Sequence, residues 1–391
     1  SSTSAAAKSS RATKPASAAR LWRSAKASST RQETSRPLST NRSQPGEEVQ
    51  EEQAGSPARP VSDAARQLYL ARYLDAFPPD ALKGLRLGVY QHSAVGRDLL
   101  LQVVRGLGAE ATPLGFSDTF IPVDTEAIRP EDTQLARDWA RQHRFDAIVS
   151  TDGDSDRPLL ADERGEWLRG DVAGVLCAKF LGADSVSAPV SCNTAVEQCG
   201  WFKEVRRTRI GSPFVVASML EASARGAKAV VGYEANGGFL LNSDVRLGSK
   251  TLRGLPTRDA LILLLGVLLL ARREGKNLSQ LVATLPPRFT ASGLLKNCPV
   301  EQSRALLTRF TTGSMDSDQR AIEAVFGAPF GKVAVLDRTD GLRVTFASGE
   351  IVHLRPSGNA PEFRCYNEAA SAPRAERMNA ICLEILRGLM P

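Results

Sequence analysis

Apolar residues along the first folded-looking stretch follow two alternating periods. "DAARQLYLARYLDAF" (63–77) places Ala65, Leu68, Tyr69, Tyr73, Leu74 and Phe77 at helical intervals, and Pro78 and Pro79 end the run. "GLRLGVYQHS" (84–93) is a compact apolar run that predicts a buried strand. "RDLLLQVVRGLGAE" (97–110) predicts a helix closing at Gly106 or Gly108, "DTQLARDWARQHR" another helix, and "FDAIVST" (145–151) another short strand. The pattern then renews: a strand in "DSVSAPVSC" (184–192), a helix in "SPFVVASMLEASARG", and a strand running into a Gly-rich loop in "AKAVVGYEANGGF". Helices follow over 257–275 and 277–284, before Pro286 and Pro287 interrupt the chain. From about 297 a smaller unit is predicted, with a helix near 301–311, strands in "KVAVLD", "LRVTFA" and "EIVHLRP", and a final helix over 373–389. Strands and helices alternating at these lengths predict an α/β fold with parallel sheets.

Residues 1–60 lack this periodicity. Rich in Ser, Ala, Thr, Arg, Pro and Gln, they cannot bury enough apolar surface to offset the entropy of ordering, so a disordered tail is expected. An organellar transit peptide also fits, as does a shifted translation standing where a further domain belongs. The tail changes how charge is read. Residues 1–44 carry nine Lys/Arg against one acidic residue, so the formal charge of +7 belongs there and the remainder of the 391 residues is near neutral. A basic tail gives no reason to expect the body to bind nucleic acid. The longest apolar run, Ala260–Ala271, is too short to span a bilayer and predicts a buried helix. Six scattered cysteines show neither zinc-site nor disulfide spacing, and three histidines make a histidine-rich metal centre implausible. A reducing, cytoplasmic setting is expected, or an organellar one if the tail is a transit peptide.

Candidate chemistry begins directly after the "FDAIVST" strand. "STDGDSDRPLLADERG" (150–165) sets Asp152, Asp154 and Asp156 on alternate positions. In extended or looping chain these side chains share a side, and hard carboxylate oxygens so gathered suit Mg²⁺ or Ca²⁺. With Glu163 twelfth in order the spacing resembles part of an EF-hand. That reading fails at Arg157, which stands where the calcium loop needs Gly, and at the strand, not helix, that precedes. "HLRPSGNAPEFR" (353–364) has the composition of a phosphate cradle: Arg355 and Arg364 around Ser357, Gly358 and Asn359. A Pro/Gly turn with solvated arginines explains it about equally well. "GYEANGGF" (232–239) offers Glu234 and Asn236 for polyol recognition, though alone it is more safely a turn. "YQHSAVGRD" (90–98) offers His92, Ser93 and Arg97 to a cleft, with Ser93 as helix cap the equal alternative, and "TRIGSP" supplies Arg209 before a helix. A carboxylate loop, a polyol-type loop and a phosphate cradle on three successive units describe a phosphosugar site shared between domains.

"STDGDSDR", "GYEANGGF" and "RPSGNAPEFRCYNEA" resemble, in order and approximate spacing, three of the four signature loops of the α-D-phosphohexomutases. The resemblance runs from about residue 62 to the C-terminus. It implies successive α/β domains plus a smaller C-terminal α+β domain after the tail: 1–60 tail, 61–183 with the metal loop, 184–296 with the sugar loop, 297–391 with the phosphate loop. It implies interconversion of hexose 1-phosphate and hexose 6-phosphate (mannose or glucose) by Mg²⁺-dependent phosphoryl transfer, with a hexose 1,6-bisphosphate as intermediate or activator. By position, Asp152, Asp154 and Asp156 would hold Mg²⁺ and Arg157 would act beside the substrate. Glu234 and Asn236 would contact sugar hydroxyls, and Arg209, on its own basic loop, is a further candidate for substrate binding. Arg355, Ser357, Gly358, Asn359 and Arg364 would grip the distal phosphate. Expected partners are phosphorylated hexoses, with no nucleic acid and no membrane; oligomeric state is not implied.

The sequence also departs from the family. Asn236 stands for a common Ser, Gly238 for a common His, and Asn359-Ala360 for a common Thr-Glu. The family's phosphoserine loop, Thr-x-Ser-His-Asn-Pro-like, has no counterpart here, and the tail is expected to stand in its place. Phosphoryl transfer needs an in-line donor and acceptor as well as charge stabilisation, and the three loops supply only the latter and positioning. A phosphosugar- and Mg²⁺-binding module without turnover is therefore the alternative to a mutase.

Overall fold

The computed structural model describes residues 63–357 and 360–390. The expected tail, and Gly358 and Asn359 of the expected phosphate loop, lie outside these residues.

The first unit begins with α1 (Ala64–Ala76), followed by β1 (Arg86–His92), α2 (Arg97–Gly106), β2 (Glu110–Phe116), α3 (Pro130–His143), β3 (Ala147–Thr151) and β4 (Pro158–Ala161). The sheet order is β2-β1-β3-β4, with β1 parallel to β2 and β3, and β4 antiparallel to β3. The aspartates therefore occupy the turn between β3 and β4, at the carboxyl end of a parallel strand, where open α/β sheets place ligands.

The second unit repeats this plan. After α4 (Gly170–Phe180) come β5 (Ser185–Pro189), α5 (Ala195–Gln198), β6 (Glu204–Thr208), α6 (Ser212–Ala224), β7 (Val230–Tyr233) and β8 (Phe239–Leu241). Its order is β6-β5-β7-β8, again with the last strand antiparallel. The Glu234–Gly238 loop thus sits at the place in this sheet that the aspartate turn holds in the first. A ribbon of β9 (Val245–Leu247) and β10 (Lys250–Leu252) leads to α7 (Ala260–Glu274) and α8 (Leu278–Val282). The predicted helix over 257–275 starts later, at Ala260, and Gly275 ends it in the left-handed conformation that favours glycine. From Ala260 to Ala271 α7 is apolar and almost wholly buried, and it packs on α4, where Cys177 Sγ fills the space beside Gly266. One hydrophobic core runs from Leu70 to Leu281 through both units. Asn277 opens α8 with a capping box, accepting the Gln280 N–H while the Gln280 side chain accepts its own.

The C-terminal unit is a five-stranded antiparallel sheet with a core of its own. Its elements are β11 (Phe289–Lys296), α9 (Val300–Thr308), α10 (Met315–Phe330), β12 (Val333–Asp337), β13 (Leu342–Phe346), β14 (Ile351–Pro356), β15 (Glu362–Ala369) and α11 (Ala372–Leu389). The expected boundaries at 183/184 and 296/297 fall just after α4, which packs on α7, and just after β11, which pairs with β15. Among the described residues no helix is long and apolar enough to cross a membrane.

Candidate functional site

The aspartate turn is built by its own backbone. Asp152 N–H donates to Arg157 O at 3.0 Å, Ser155 N–H to Asp152 O at 3.2 Å, and Arg157 N–H to Asp152 Oδ1 at 3.1 Å. Ser155 takes a positive φ of 66°. Its hydroxyl accepts the Gly96 N–H at 2.8 Å, tying the turn to the start of α2. The result brings one oxygen from each of Asp152 (buried), Asp154 (exposed) and Asp156 (half-buried) within 4.8 Å of one another. Burial, together with repulsion from Asp154 and Asp156, pushes the Asp152 carboxyl up to about 6 despite the hydrogen bond and charge of Arg157. Asp156 Oδ1 is buried without a hydrogen-bond partner, as is Arg157 Nε, which lies 3.7 Å from both Asp152 and Asp156. Three crowded hard donors, one of them orphaned, fit a divalent cation such as Mg²⁺. Glu163 turns away to the backbone and hydroxyl of Ser279, so nothing of an EF-hand is completed.

The Glu234–Gly238 loop is equally self-braced. Glu234 N–H donates to Gly238 O, Gly237 N–H to Glu234 O, and Gly238 N–H to the Asn236 side-chain oxygen at 2.9 Å. Thr125 from the first unit donates to Asn236 O at 2.8 Å. Asn236 therefore serves the loop with its side-chain oxygen, while Glu234 offers a buried Oε2 that has no hydrogen-bond partner. Burial raises the Glu234 carboxyl above its ordinary range, opposed by Arg258 and Arg157. Arg258, which sequence reasoning missed, joins the two loops: it reaches Asp156 Oδ2 at 2.8 Å and lies 3.9 Å from Glu234 Oε2. Nothing in "LPTRDAL" separates it from an ordinary solvated arginine; only the fold brings it here.

Arg355 and Arg364 stand directly opposite each other on β14 and β15, a pairing of like charges that favours an anion between them. Arg355 Nε donates to Asp340 at 3.0 Å, Arg364 lies 3.6 Å from Glu362, and Arg364 Nε is buried without a hydrogen-bond partner. Ser357 is buried, its N–H donating to Glu362 O at 2.9 Å. Arg209 lies over Phe214, within electrostatic reach of Asp340. Glu126, a second residue missed from sequence, lies in a connection from the first unit and feels Arg169 and Arg364. Desolvation by its neighbours raises its carboxyl above the ordinary range, although the residue as a whole is exposed.

The "YQHSAVGRD" stretch behaves differently from the expectation of cleft-facing groups. His92 is buried with Nε2 at 2.8 Å from Thr151 O, and Arg97 donates to His92 O and Ser117 O. Ser93 is no helix cap; it accepts the Ile121 N–H at 2.8 Å and holds the loop after β2. A groove of about 840 Å³ beside Trp167, Leu285 and Phe289 includes none of the expected residues.

Family models match the chain in three consecutive pieces: phosphoglucomutase/phosphomannomutase alpha/beta/alpha domain II over 69–165, alpha/beta/alpha domain III over 169–289, and the C-terminal domain over 295–384. A phosphomannomutase of Salmonella muenchen is 47% identical over 313 residues, 80% of this chain and 63% of the relative. One of Sinorhizobium fredii is 43% identical over 329 residues, 84% of this chain and 68% of the relative. The chain belongs to the phosphoglucomutase/phosphomannomutase family. It spans about two thirds of the length of these relatives. Among solved structures, a phosphoglucomutase/phosphomannomutase family protein from Burkholderia thailandensis superposes with a TM-score of 0.62 at 18% identity, covering 82% of this chain and 64% of the other. An N-acetylphosphoglucosamine mutase from Aspergillus fumigatus, solved with GlcNAc-6P and magnesium, gives 0.56 at 16% identity, with 83% and 66% covered. These two show the shared fold of the phosphoglucomutase/phosphomannomutase family.

Proposed function

We propose that the chain carries the cation- and substrate-binding side of a phosphohexomutase that interconverts hexose 1-phosphate and hexose 6-phosphate, with mannose or glucose as the hexose. The observation that carries this reading is the junction of loops: three carboxylate oxygens within 4.8 Å lie one arginine away from the unpartnered Glu234 Oε2. Support comes from two relatives named phosphomannomutase and from a structural neighbour holding a hexosamine phosphate and magnesium. Asp152, Asp154 and Asp156 would hold Mg²⁺, which when bound neutralises charge on a transferring phosphoryl group. Arg157 adds a fixed positive charge at the same place. Glu234 accepts hydrogen bonds from ring hydroxyls, with Asn236 shaping its loop. Arg355 and Arg364, with Ser357, Gly358 and Asn359 between them and Arg209 nearby, hold the phosphate that is not reacting. A hexose 1,6-bisphosphate would be the intermediate. A cytoplasmic setting fits cysteines that are all free.

The test uses the full chain with mannose 1-phosphate or glucose 1-phosphate, Mg²⁺ and a trace of the matching 1,6-bisphosphate, followed by ³¹P NMR. Conversion to the 6-phosphate that stops on chelation supports the mutase. Calorimetric binding of the sugar phosphates without conversion would instead give a phosphosugar-binding module. Neither binding nor conversion would sink the reading.

A further inference from the structure

Gly238 and Arg258 are two halves of one feature. A Cβ at Gly238 would lie 2.5 Å from Arg258 Cδ and 2.9 Å from its Cγ, so the arginine stem fills the room that a side chain at 238 would need. The stem is held from behind. Asp259, the next residue, is buried, and it accepts hydrogen bonds from Tyr69 at 2.7 Å and from Tyr73. Its N–H donates to Phe239 O at 3.0 Å, which fixes the backbone of Arg258 against the strand that follows the sugar loop. From that anchored position the guanidinium forms an ion pair with Asp156 Oδ2 at 2.8 Å, and its other terminal nitrogen lies 3.9 Å from Glu234 Oε2. Both acids keep a buried oxygen without a hydrogen-bond partner, Asp156 Oδ1 and Glu234 Oε2.

We propose that Arg258, in the space left by Gly238, is a positioning residue that couples the carboxylate cluster to the sugar loop. It neutralises part of the Asp156 charge, which limits how strongly the cluster holds a cation, and it sets a positive charge 3.9 Å from Glu234 Oε2, where a hydroxyl-rich ligand would be met. The two effects have opposite signs when the guanidinium is removed. Cation binding should strengthen because a fixed positive charge has gone, while hexose phosphate binding should weaken because Glu234 loses its neighbour. A residue that merely supported the fold would weaken both. This inference rests on the reading of the two loops given under Proposed function.

The test is calorimetry on the full chain with MgCl₂ alone and, separately, with glucose 1-phosphate, for wild type, Arg258→Met, Arg258→Lys, Arg258→Ala and Gly238→Ala. For Arg258→Met the expectation is Mg²⁺ binding tightened roughly fivefold and glucose 1-phosphate binding weakened roughly tenfold. Arg258→Lys should restore much of the cation behaviour and less of the sugar binding, since an ammonium is a point charge without the planar fork. Gly238→Ala should act through Arg258, so adding it to Arg258→Ala, which removes the Cγ and Cδ that the new Cβ would meet, should change glucose 1-phosphate affinity far less than it does alone. Both affinities falling together, or both unchanged, would overturn the coupling. Wild type that binds Mg²⁺ but no hexose phosphate, with Mg²⁺ still tightened in Arg258→Met, would overturn the sugar half and the functional reading but leave the Asp156 contact standing. Wild type that binds neither ligand would overturn both.

Discussion

Arg355 Nε donates to one oxygen of Asp340 at 3.0 Å, and the other oxygen of that carboxylate accepts the backbone N–H of Ile210 at 2.9 Å. One side chain thus links the arginine expected to meet a phosphate with the loop after β6 in the neighbouring unit. Burial opposes ionisation of Asp340, but these two donors outweigh it and hold the carboxyl below its usual range. Asp340→Ala should leave Ile210 N–H unpaired and Arg355 without its orienting partner. Hexose phosphate affinity should drop by roughly tenfold, about the worth of one charged hydrogen bond. Unchanged affinity in calorimetry would mean that Arg355 is placed by its strand alone.

The aspartate turn makes a prediction about protons. Asp152, pushed up to about 6 by burial and by its acidic neighbours, is largely protonated below that pH in the cation-free protein. Because the folded state holds this proton more tightly than the unfolded chain, ionisation removes stability as pH rises from about 4 through 6. A divalent cation needs the ionised form, so Mg²⁺ binding should release close to one proton near pH 5 and almost none at pH 8. Calorimetry in buffers of different ionisation enthalpy measures this directly. Equal heats in all buffers at pH 5 would contradict the assignment. Asp154→Asn should weaken Mg²⁺ binding sharply at either pH by removing one of three charges from a hard cation.

His353 makes the opposite contribution to acid stability. It is buried against Tyr366, with Nε2 at 2.7 Å from Asp340 O, and burial lowers its imidazole from 6.5 to about 4. The unfolded chain takes up the proton first, so stability is full above pH 6.5 and is lost as pH falls towards 4. The loss is on the order of 3 kcal/mol. His353→Gln should flatten the fall in melting temperature between pH 7 and 4.5. The Asp152 contribution has the other sign and is present in both proteins, so it cancels in the comparison. Parallel curves would show that His353 is not a source of acid lability.

Much of this arrangement was legible because it is local. The helix over 64–76 announces itself by its period and the strands ending at His92, Thr151 and Tyr233 by their short apolar runs, and each chemical loop follows its strand within a few residues. β11 was not legible: it pairs along its whole length with β15, yet only Leu295 of its eight residues is buried, so no alternation marks it. α10 was hidden by Gly327 and Pro329 in its last turn. Arg258 and Glu126 were missed for a different reason. Their roles come from contacts between connections of different units, and a charged residue in a loop carries no local mark of what the fold will set beside it. The bond from Tyr69 to Asp259, 190 positions apart, is invisible to any window of sequence.

The contact between Gly170 and Gly237 gives the sharpest steric prediction. α4 begins at Gly170 against the sugar loop, and a Cβ there would lie 2.1 Å from Gly237 N, 2.4 Å from Gly237 Cα and 2.6 Å from Asn236 C. Every obstructing atom is backbone, so no rotamer change relieves the clash. Gly237 itself has a φ of 87°, which leaves its neighbours little freedom to yield. Gly170→Ala should therefore cost about 1–3 kcal/mol, the usual range for overpacking. It should also displace Glu234 and Asn236 while the aspartate turn, braced separately by Ser155 and Gly96, keeps its shape. The expected signature is a lower melting temperature with glucose 1-phosphate affinity reduced and Mg²⁺ affinity nearly intact. If Mg²⁺ and sugar phosphate binding fell equally, the two loops would be deforming as one body; if neither changed, the close approach of α4 would have no part in shaping the sugar loop.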